Sequence, residues 1–572
     1  MLTGYHGYFH RVTTPKRIRF TCTGPTVSRF ILRLILLYIL STHTVNSFAE
    51  ETAPTTKVFI FAGQSNMEGA DSNVERIQLF PPFRGLDQPQ EDVLFRYNLG
   101  RNDAHVSDGW VPLQSVNRWV GPELSFAREL KRHDDSPIAI IKCAVGGTTL
   151  GADWNPKSPQ GFMLYPKALS LVQEALADLK KRGVPYQLEG FMWHQGENDM
   201  FNDEFRAAYG DNLTQFIASW RKDLDAPTLQ FFIGELHCKS IWGMDNRSRM
   251  YGISQGQKAA CNRDPHAHYV PNNHNAMTVN PNSGLHYHFG TLGQLGHGMS
   301  YADAYLNSIK ARPITTNSYH QWPKPAGQLF KLYVLAGHRN MEGERAFVDE
   351  ASDHSHSELL PNIPFRYSIG GGYRQSADWE PLYPNGFYET FGPELSFAHA
   401  FEKPTANHLA IAKFTHSGSQ IIDWTPEGSD AKDRNLYPDF IAFVQRCRQD
   451  LERRGYDVQL AGIIYHLGEN DMCFHPYKRN AIENLSKIVT QSRTDLGLPE
   501  LPWIVSLQPP FPNENLAEID VTSELKALDQ NDPHLRSVVL DADFPLDRNL
   551  LMDADGVSRL GTEIAAEALK LP

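Results

Sequence analysis

The chain has 572 residues, of which 41% are hydrophobic and 21% charged, with 42 Gly and 37 Pro. That is the make-up of a globular protein long enough for more than one hydrophobic core, and it excludes collagen-like, coiled-coil and disordered classes. The formal net charge is −12 and no long Lys/Arg run follows residue 50, so a phosphate backbone would be repelled and nucleic acid is not an expected partner.

In chain order, the first feature is a basic stretch, with Arg11, Lys16, Arg17, Arg19 and Arg29, followed by the apolar run from Leu34 to Leu40 and by Ser47-Phe48-Ala49. This is the layout of a signal peptide over 1–49, with cleavage after Ala49 and export to a periplasm or the medium. The apolar run, preceded by Arg33, is far shorter than the ~20 residues a membrane span needs, so no stable span is expected after cleavage. A start codon further along would leave the same mature chain. Cys143 follows an apolar run and reads as core, while Cys238 and Cys261 are a candidate disulfide; no CxxC pair suggests a zinc ribbon.

The chain contains itself twice. GPELSFA occurs at 121–127 and again at 392–398; FAGQSNMEG (61–69) answers to LAGHRNMEG (335–343), and HQGENDM (194–200) to HLGENDM (466–472). The DW and LYP pairs fall in the same order, with offsets of 270 to 274 residues. This is a tandem duplication. The proline-bearing stretch 311–327 has no apolar periodicity and reads as a linker between a first domain, 50–310, and a second, 328–572.

In the first copy, the apolar runs 58–63, 138–144, 188–193 and 229–236 read as buried strands. Amphipathic segments near 122–133, 164–182, 202–224 and 291–310 read as helices. Alternation of the two predicts an α/β fold, a parallel sheet covered by helices on both faces, in each copy. Ligands in such sheets sit beyond the carboxyl ends of the strands, where Gln64-Ser65-Asn66, Gly146-Gly147-Thr148 and Gln195-Gly196-Glu197 fall.

Ser65 lies at a strand-to-helix transition flanked by Gly63 and Gly69, where the chain can turn sharply and present a hydroxyl. It is not a G-x-S-x-G elbow, and the rival Ser300 in GMSYA lies inside a predicted helix. AGQSNMEG, AVGGTTL, WHQGEND and LHYHFGTLGQLG, in that order over about 56–310, resemble the SGNH-type hydrolases of the sialate O-acetylesterase-like group. The resemblance implies tandem three-layer α/β/α domains and metal-free, cofactor-free removal of O-acetyl groups from an acetylated carbohydrate. It implies Ser65 as nucleophile and His286 as base, by its ten-residue spacing to Gly296, with His288 as competitor. It implies Gln195 as side-chain oxyanion donor, beside the backbone N–H groups of Ser65 and of Gly147 or Gly146. The family's Asp three residues before the histidine is here Ser283, which leaves a dyad or an acid from elsewhere; Glu197 and Asp199 are candidates, but GEND survives in both copies, which favours a structural role.

In the second copy, Arg339 stands for Ser65, Leu467 for Gln195 and, by the same spacing to Gly561, Leu551 for His286. None can serve the chemistry, so this copy is expected to be a catalytically dead domain that covers its neighbour or binds glycan through the old cleft. Arg339 is expected to pair with a carboxylate, either on a sugar acid or, as an internal ion pair, on Glu469 or Asp471. Trp119, Trp154 and Trp193 are candidates for stacking on sugar faces. His266, His268, His274, His286 and His288 lie within 23 residues but lack the register of a metalloprotease helix, so no metal is expected. The competing classes are a glycan-binding or scaffold protein with two inactive domains, and an esterase for non-sugar esters. Oligomeric state is not legible.

Overall fold

The structure is a computed structural model, and it describes residues 54–571 except 239, 242–243, 279–286, 311–321, 323–328, 355–357, 403–407, 510–515 and 547–549. The signal peptide, Ser283, His286 and all of the linker but Trp322 therefore lie outside the described residues.

In the first domain the parallel strands are β1 (Thr56–Gly63), β2 (Gln90–Leu99), β3 (Ile138–Ala144), β4 (Tyr186–His194), β5 (Phe231–Gly234) and β6 (Ala267–Val270). They lie in the order β6-β5-β4-β1-β3-β2. The helices are α1 (Glu123–Lys131), α2 (Leu164–Lys181), α3 (Asp203–Asp223), α4 (Arg247–Asn262) and α5 (Gly290–Ser308). β1 is apolar on both sides because both sides are covered. Val58, Ile60 and Ala62 join a core with α2, α3 and α4, while Phe59 and Phe61 join one with α1 and α5. Phe59 and Phe61 are fully buried, so truncating either to Ala would cost roughly 3–5 kcal/mol.

The second domain repeats this order with β7 (Phe330–Gly337), β8 (Leu360–Ile369), β9 (His408–Thr415), β10 (Val458–Leu467), β11 (Trp503–Leu507) and β12 (Leu535–Val539). Its helices include α6 (Glu394–Glu402), α7 (Tyr437–Arg453), α8 (Ala481–Asp495) and α10 (Ala554–Ala568), with α9 (Val521–Asn531) before β12. The verbatim GPELSFA has a packing cause. Glu123 forms a fully buried ion pair with Lys142 of β3 at 2.6 Å, and Glu394 does so with Lys413 of β9 at 3.0 Å. Losing one partner would strand a buried charge, a penalty of about 3–5 kcal/mol. A Cβ on Gly298 of α5 would come within 2.0 Å of Pro122 O, and one on Gly561 of α10 within 2.3 Å of Pro393 O.

Three elements escape the sequence reading: β2, β6 and α4. β2 begins with the exposed charges Glu91 and Asp92, β6 has only four residues, and α4 is interrupted by Gly252 and Gly256. Gly256 is there for contact: its Cβ would lie 2.8 Å from Gly210 N, so α3 and α4 touch backbone to backbone. Cys238 and Cys261 are free and buried, so the candidate disulfide is not formed; Cys143 is buried, as read.

The two domains pack within one unit, Pro54–Pro572. Buried Arg247 of α4 reaches Asp423 at 3.2 Å, and the His274 ring stacks on Tyr373 at 3.7 Å. Tyr373 donates to Asp303 of α5 at 2.8 Å, and Phe83 meets Tyr388 edge to face. Among the described residues no helix is long and apolar enough to cross a membrane.

Candidate active site

Register builds the site. Gly63 of β1 pairs with Ala144 of β3 on one side and His194 of β4 on the other, so three loops leave the sheet side by side where strand order reverses, the usual ligand position in such sheets. Gly63 has φ +154, and a Cβ there would lie 2.0 Å from His194 O. Only glycine lets β1 turn this close to its neighbour. The chain then makes one helical turn, Ser65–Glu68, closed by Gly69 at φ 107. Ser65 is half-buried on the wall of a cavity of about 960 Å³, together with Gly147, Asn198, Trp119 and Tyr287.

The ring that meets Ser65 belongs to His288: Nε2 lies 3.0 Å from Ser65 Oγ, and Nδ1 lies 2.6 Å from Asp71 Oδ2. The base position that the sequence reading gave to His286 is thus filled by its competitor. The ten-residue spacing holds, but its anchor is Gly298, the glycine that packs as Gly561 does, rather than Gly296. The carboxylate that meets His288 is neither near the histidine in sequence nor in GEND. Asp71 sits in a turn just past Gly69, with φ 60, a left-handed conformation that Asp tolerates better than most residues. The hydrogen bond from His288 outweighs partial burial and holds its carboxyl below the ordinary range. A sequence signal existed: at the offset that turns Ser65 into Arg339, Asp71 becomes Arg345, so the carboxylate is lost together with the serine.

Asn66 brackets the histidine. Its Nδ2 donates to Tyr287 O at 3.0 Å and its Oδ1 accepts from Phe289 N at 3.1 Å. Asn340 does the same for Leu550 O and Met552 N, which makes Leu551 the structural counterpart of His288. Glu197 accepts from Asn66 at 2.7 Å and lies 3.4 Å from His194. Burial opposes its ionisation, yet these partners hold it below the usual carboxyl value. Asp199 accepts from Leu150 N, Gly151 N and Gln195, so it satisfies turn amides; burial pushes its pKa up to about 6.

Gln195 does not reach the cavity. It is fully buried, and its two amide hydrogens are shared among Thr148 O at 2.8 Å, Asp199 at 2.6 Å and Gln64 Oε1 at 3.1 Å. The oxyanion donor read at Gln195 is corrected on that ground. Gln64, which the sequence reading passed over, donates in turn to Asn198 Oδ1 at 3.1 Å, which leaves the Asn198 amide nitrogen for the cavity that this residue lines. Gly147, at φ +77, lines the cavity, while the N–H of Gly146 is taken by Glu68 at 2.9 Å. Burial raises the pKa of Glu68 against that bond.

Of the three candidate tryptophans, Trp119 lines the cavity; Trp154 and Trp193 are fully buried and pack edge to face. The other histidines disperse. His266 and His268 both engage Gln230, and His274 is sealed in the domain interface, where burial pushes its pKa down to about 3. At the second domain's corresponding place Arg339 pairs with Glu344 at 2.7 Å and lies 3.7 Å from Glu469, whereas Asp471 pairs with His338 at 2.9 Å.

A family model described as carbohydrate esterase, sialic acid-specific acetylesterase, matches residues 55–307 and again 329–570. The chain therefore belongs to this family of ester hydrolases, in tandem duplicate. It is 27% identical over 192 residues to a probable carbohydrate esterase of Arabidopsis thaliana, a stretch covering 31% of this chain and 67% of that protein. The crystal structure of an Arabidopsis thaliana protein superposes with a TM-score of 0.34 at 21% identity, over 44% of this chain and 99% of the other. A carbohydrate acetylesterase from Xanthomonas citri gives 0.32 at 16% identity, over 45% and 57%.

Proposed function

We propose that the protein is an exported serine esterase that removes O-acetyl groups from carbohydrates at the first domain, through an acetyl-enzyme, with a second domain that has no turnover. The observation that carries this reading is the unbroken chain from Ser65 Oγ through His288 to Asp71, at 3.0 and 2.6 Å, on the wall of the cavity.

Ser65 Oγ attacks the acetyl carbonyl carbon as its proton passes to His288 Nε2. The carbonyl π electrons move to oxygen, where the N–H groups of Ser65 and Gly147 and the amide of Asn198 receive the charge. Asp71 holds Nδ1–H and stabilises the imidazolium. The intermediate collapses as His288 returns its proton to the leaving sugar oxygen, which departs as the alcohol and leaves an acetyl ester on Ser65. Water then gives a proton to His288 and attacks that ester; acetate leaves and Ser65 regains its proton. Trp119 and Tyr287 offer faces for sugar rings.

A non-catalytic reading rests on a histidine without an acid, and the 2.6 Å contact of Asp71 with His288 supports the catalytic reading instead. Release of acetate should be followed over acetylated sialic acids, xylan and other acetylated glycans, with labelling by a serine-reactive fluorophosphonate. Wild type should label at Ser65 and release acetate, and Ser65→Ala should do neither; absence of both activities in wild type would sink the proposal. Export is tested by the N-terminus of the secreted product, expected at Glu50.

A further inference from the structure

The second domain's old cleft is closed by the first domain. Arg339 and Leu551, at the places of the nucleophile and the base, face Met277 and Phe289 across a gap of about 10 Å³, enough for one water at most. Glycan binding through that cleft is thus barred, and Arg339 turns to another partner: its Nη2 donates to Met277 O at 3.2 Å. Glu344 grips the guanidinium by two bonds, at 2.7 and 3.0 Å, so the donor is fixed in direction. Arg339 is 2% exposed.

Met277 O and Thr278 N–H are the two ends of one peptide group. That N–H donates to His288 O at 2.8 Å, and Thr278 Oγ1 donates to the same oxygen at 3.0 Å. A peptide group is rigid and planar, so a bond at its oxygen fixes the direction of its N–H, and a charged donor there polarises the N–H toward a stronger bond. Three residues in series thus join the dead domain to the backbone of the histidine that meets Ser65. Asn66 holds that histidine's neighbours from the first domain's side; the 277–278 peptide holds its own carbonyl from the other.

We propose that the second domain's role is to position the acid–base histidine of the first, with Arg339 as the positioning residue acting through the Met277–Thr278 peptide. This rests on the reading of His288 as the base. Substitution of the nucleophile by arginine converted a catalytic position into an anchor for the neighbouring catalytic loop. Its partner Leu551, buried against the same segment, converted the base position into packing.

The test uses the full chain and an aryl acetate. Arg339→Met keeps the side chain's length without the donor, but strands the buried Glu344 and Glu469, so Arg339→Met/Glu344→Leu/Glu469→Gln is made beside it to remove all three charges. Thr278→Val removes the hydroxyl donor at the other end. The expected result is a kcat lowered about tenfold in the folded Arg339 variants with KM within twofold, partial recovery in Arg339→Lys, and a smaller kcat loss in Thr278→Val. The losses should not multiply when Arg339→Met and Thr278→Val are combined, because both act on one carbonyl. Unchanged kcat in either folded Arg339 variant, a loss confined to KM, or losses that multiply would overturn the proposal. Failure of both Arg339 variants to fold would also overturn it, in favour of a purely structural ion pair. Failure of the site reading looks different: inactive wild type, or a fully active His288→Ala.

Discussion

Replacing Asp71 by Asn probes the acid that stands farthest from the histidine in sequence and nearest in space. The amide keeps the shape but loses the charge, and it can turn either an oxygen or an NH2 toward Nδ1 of His288. The bond lost is a charge-assisted one of 2.6 Å, and such bonds contribute about 1.5–3 kcal/mol. The Asp71 side chain is 59% exposed, so water screens its charge and the lower half of that range applies. Since about 1.4 kcal/mol is a factor of ten in rate, kcat for aryl acetate hydrolysis should fall about ten- to fortyfold. KM should hold, because Asp71 stabilises the imidazolium formed in the transition state and not the bound ester. Ser283→Ala, at the position where the family's acid is expected, should retain wild-type kcat. Full activity in Asp71→Asn, or a loss carried by Ser283→Ala instead, would refute the assignment of the acid.

The two histidines separate cleanly: His288→Ala should lose as much as Ser65→Ala, with no further loss when the two are combined, while His286→Ala should stay within a few-fold of wild type in the same assay. The buried Asp199 gives a pH prediction of defined sign. Its folded pKa of about 6 lies above the roughly 3.9 of an unfolded chain, so the folded state binds the proton more tightly and stability falls as pH rises from about 4 to 6. The difference of about two pH units amounts to about 3 kcal/mol. Urea unfolding followed by tryptophan fluorescence should show wild type losing most of that relative to Asp199→Asn between pH 4 and 7; parallel pH profiles would contradict it.

Repetition and periodicity determined much by themselves. The duplicate GPELSFA and HxGENDM words mark two copies of one domain, and four continuous apolar runs mark buried parallel strands, because a strand covered on both faces has no polar side to show. Since loops in such a sheet gather at the strand ends, Ser65 and Gly147 could be brought to one place from sequence alone. Retention of GEND in both copies correctly spoke for structure, since Asp199 and Asp471 each cap loop amides, at Leu150 and Gly151 in one case and Ile421 in the other.

What tertiary structure decided was direction. Two histidines lie two residues apart, and a spacing measured along the chain is only as good as the glycine it is counted from; Gly298 is the counterpart of Gly561 because it packs on Pro122 O as Gly561 packs on Pro393 O. Gln195 carries the right group, but Thr148, Asp199 and Gln64 turn its amide away from the cavity. Asp71 meets His288, 217 positions further along the chain, from a left-handed turn just after Gly69. The closure of the second cleft lay beyond any reading of one copy, since Arg339 meets Met277 only when both domains are folded against each other. Sequence periodicity reports which face of an element is buried; which atom of a polar side chain meets which partner is fixed by contacts between segments hundreds of residues apart.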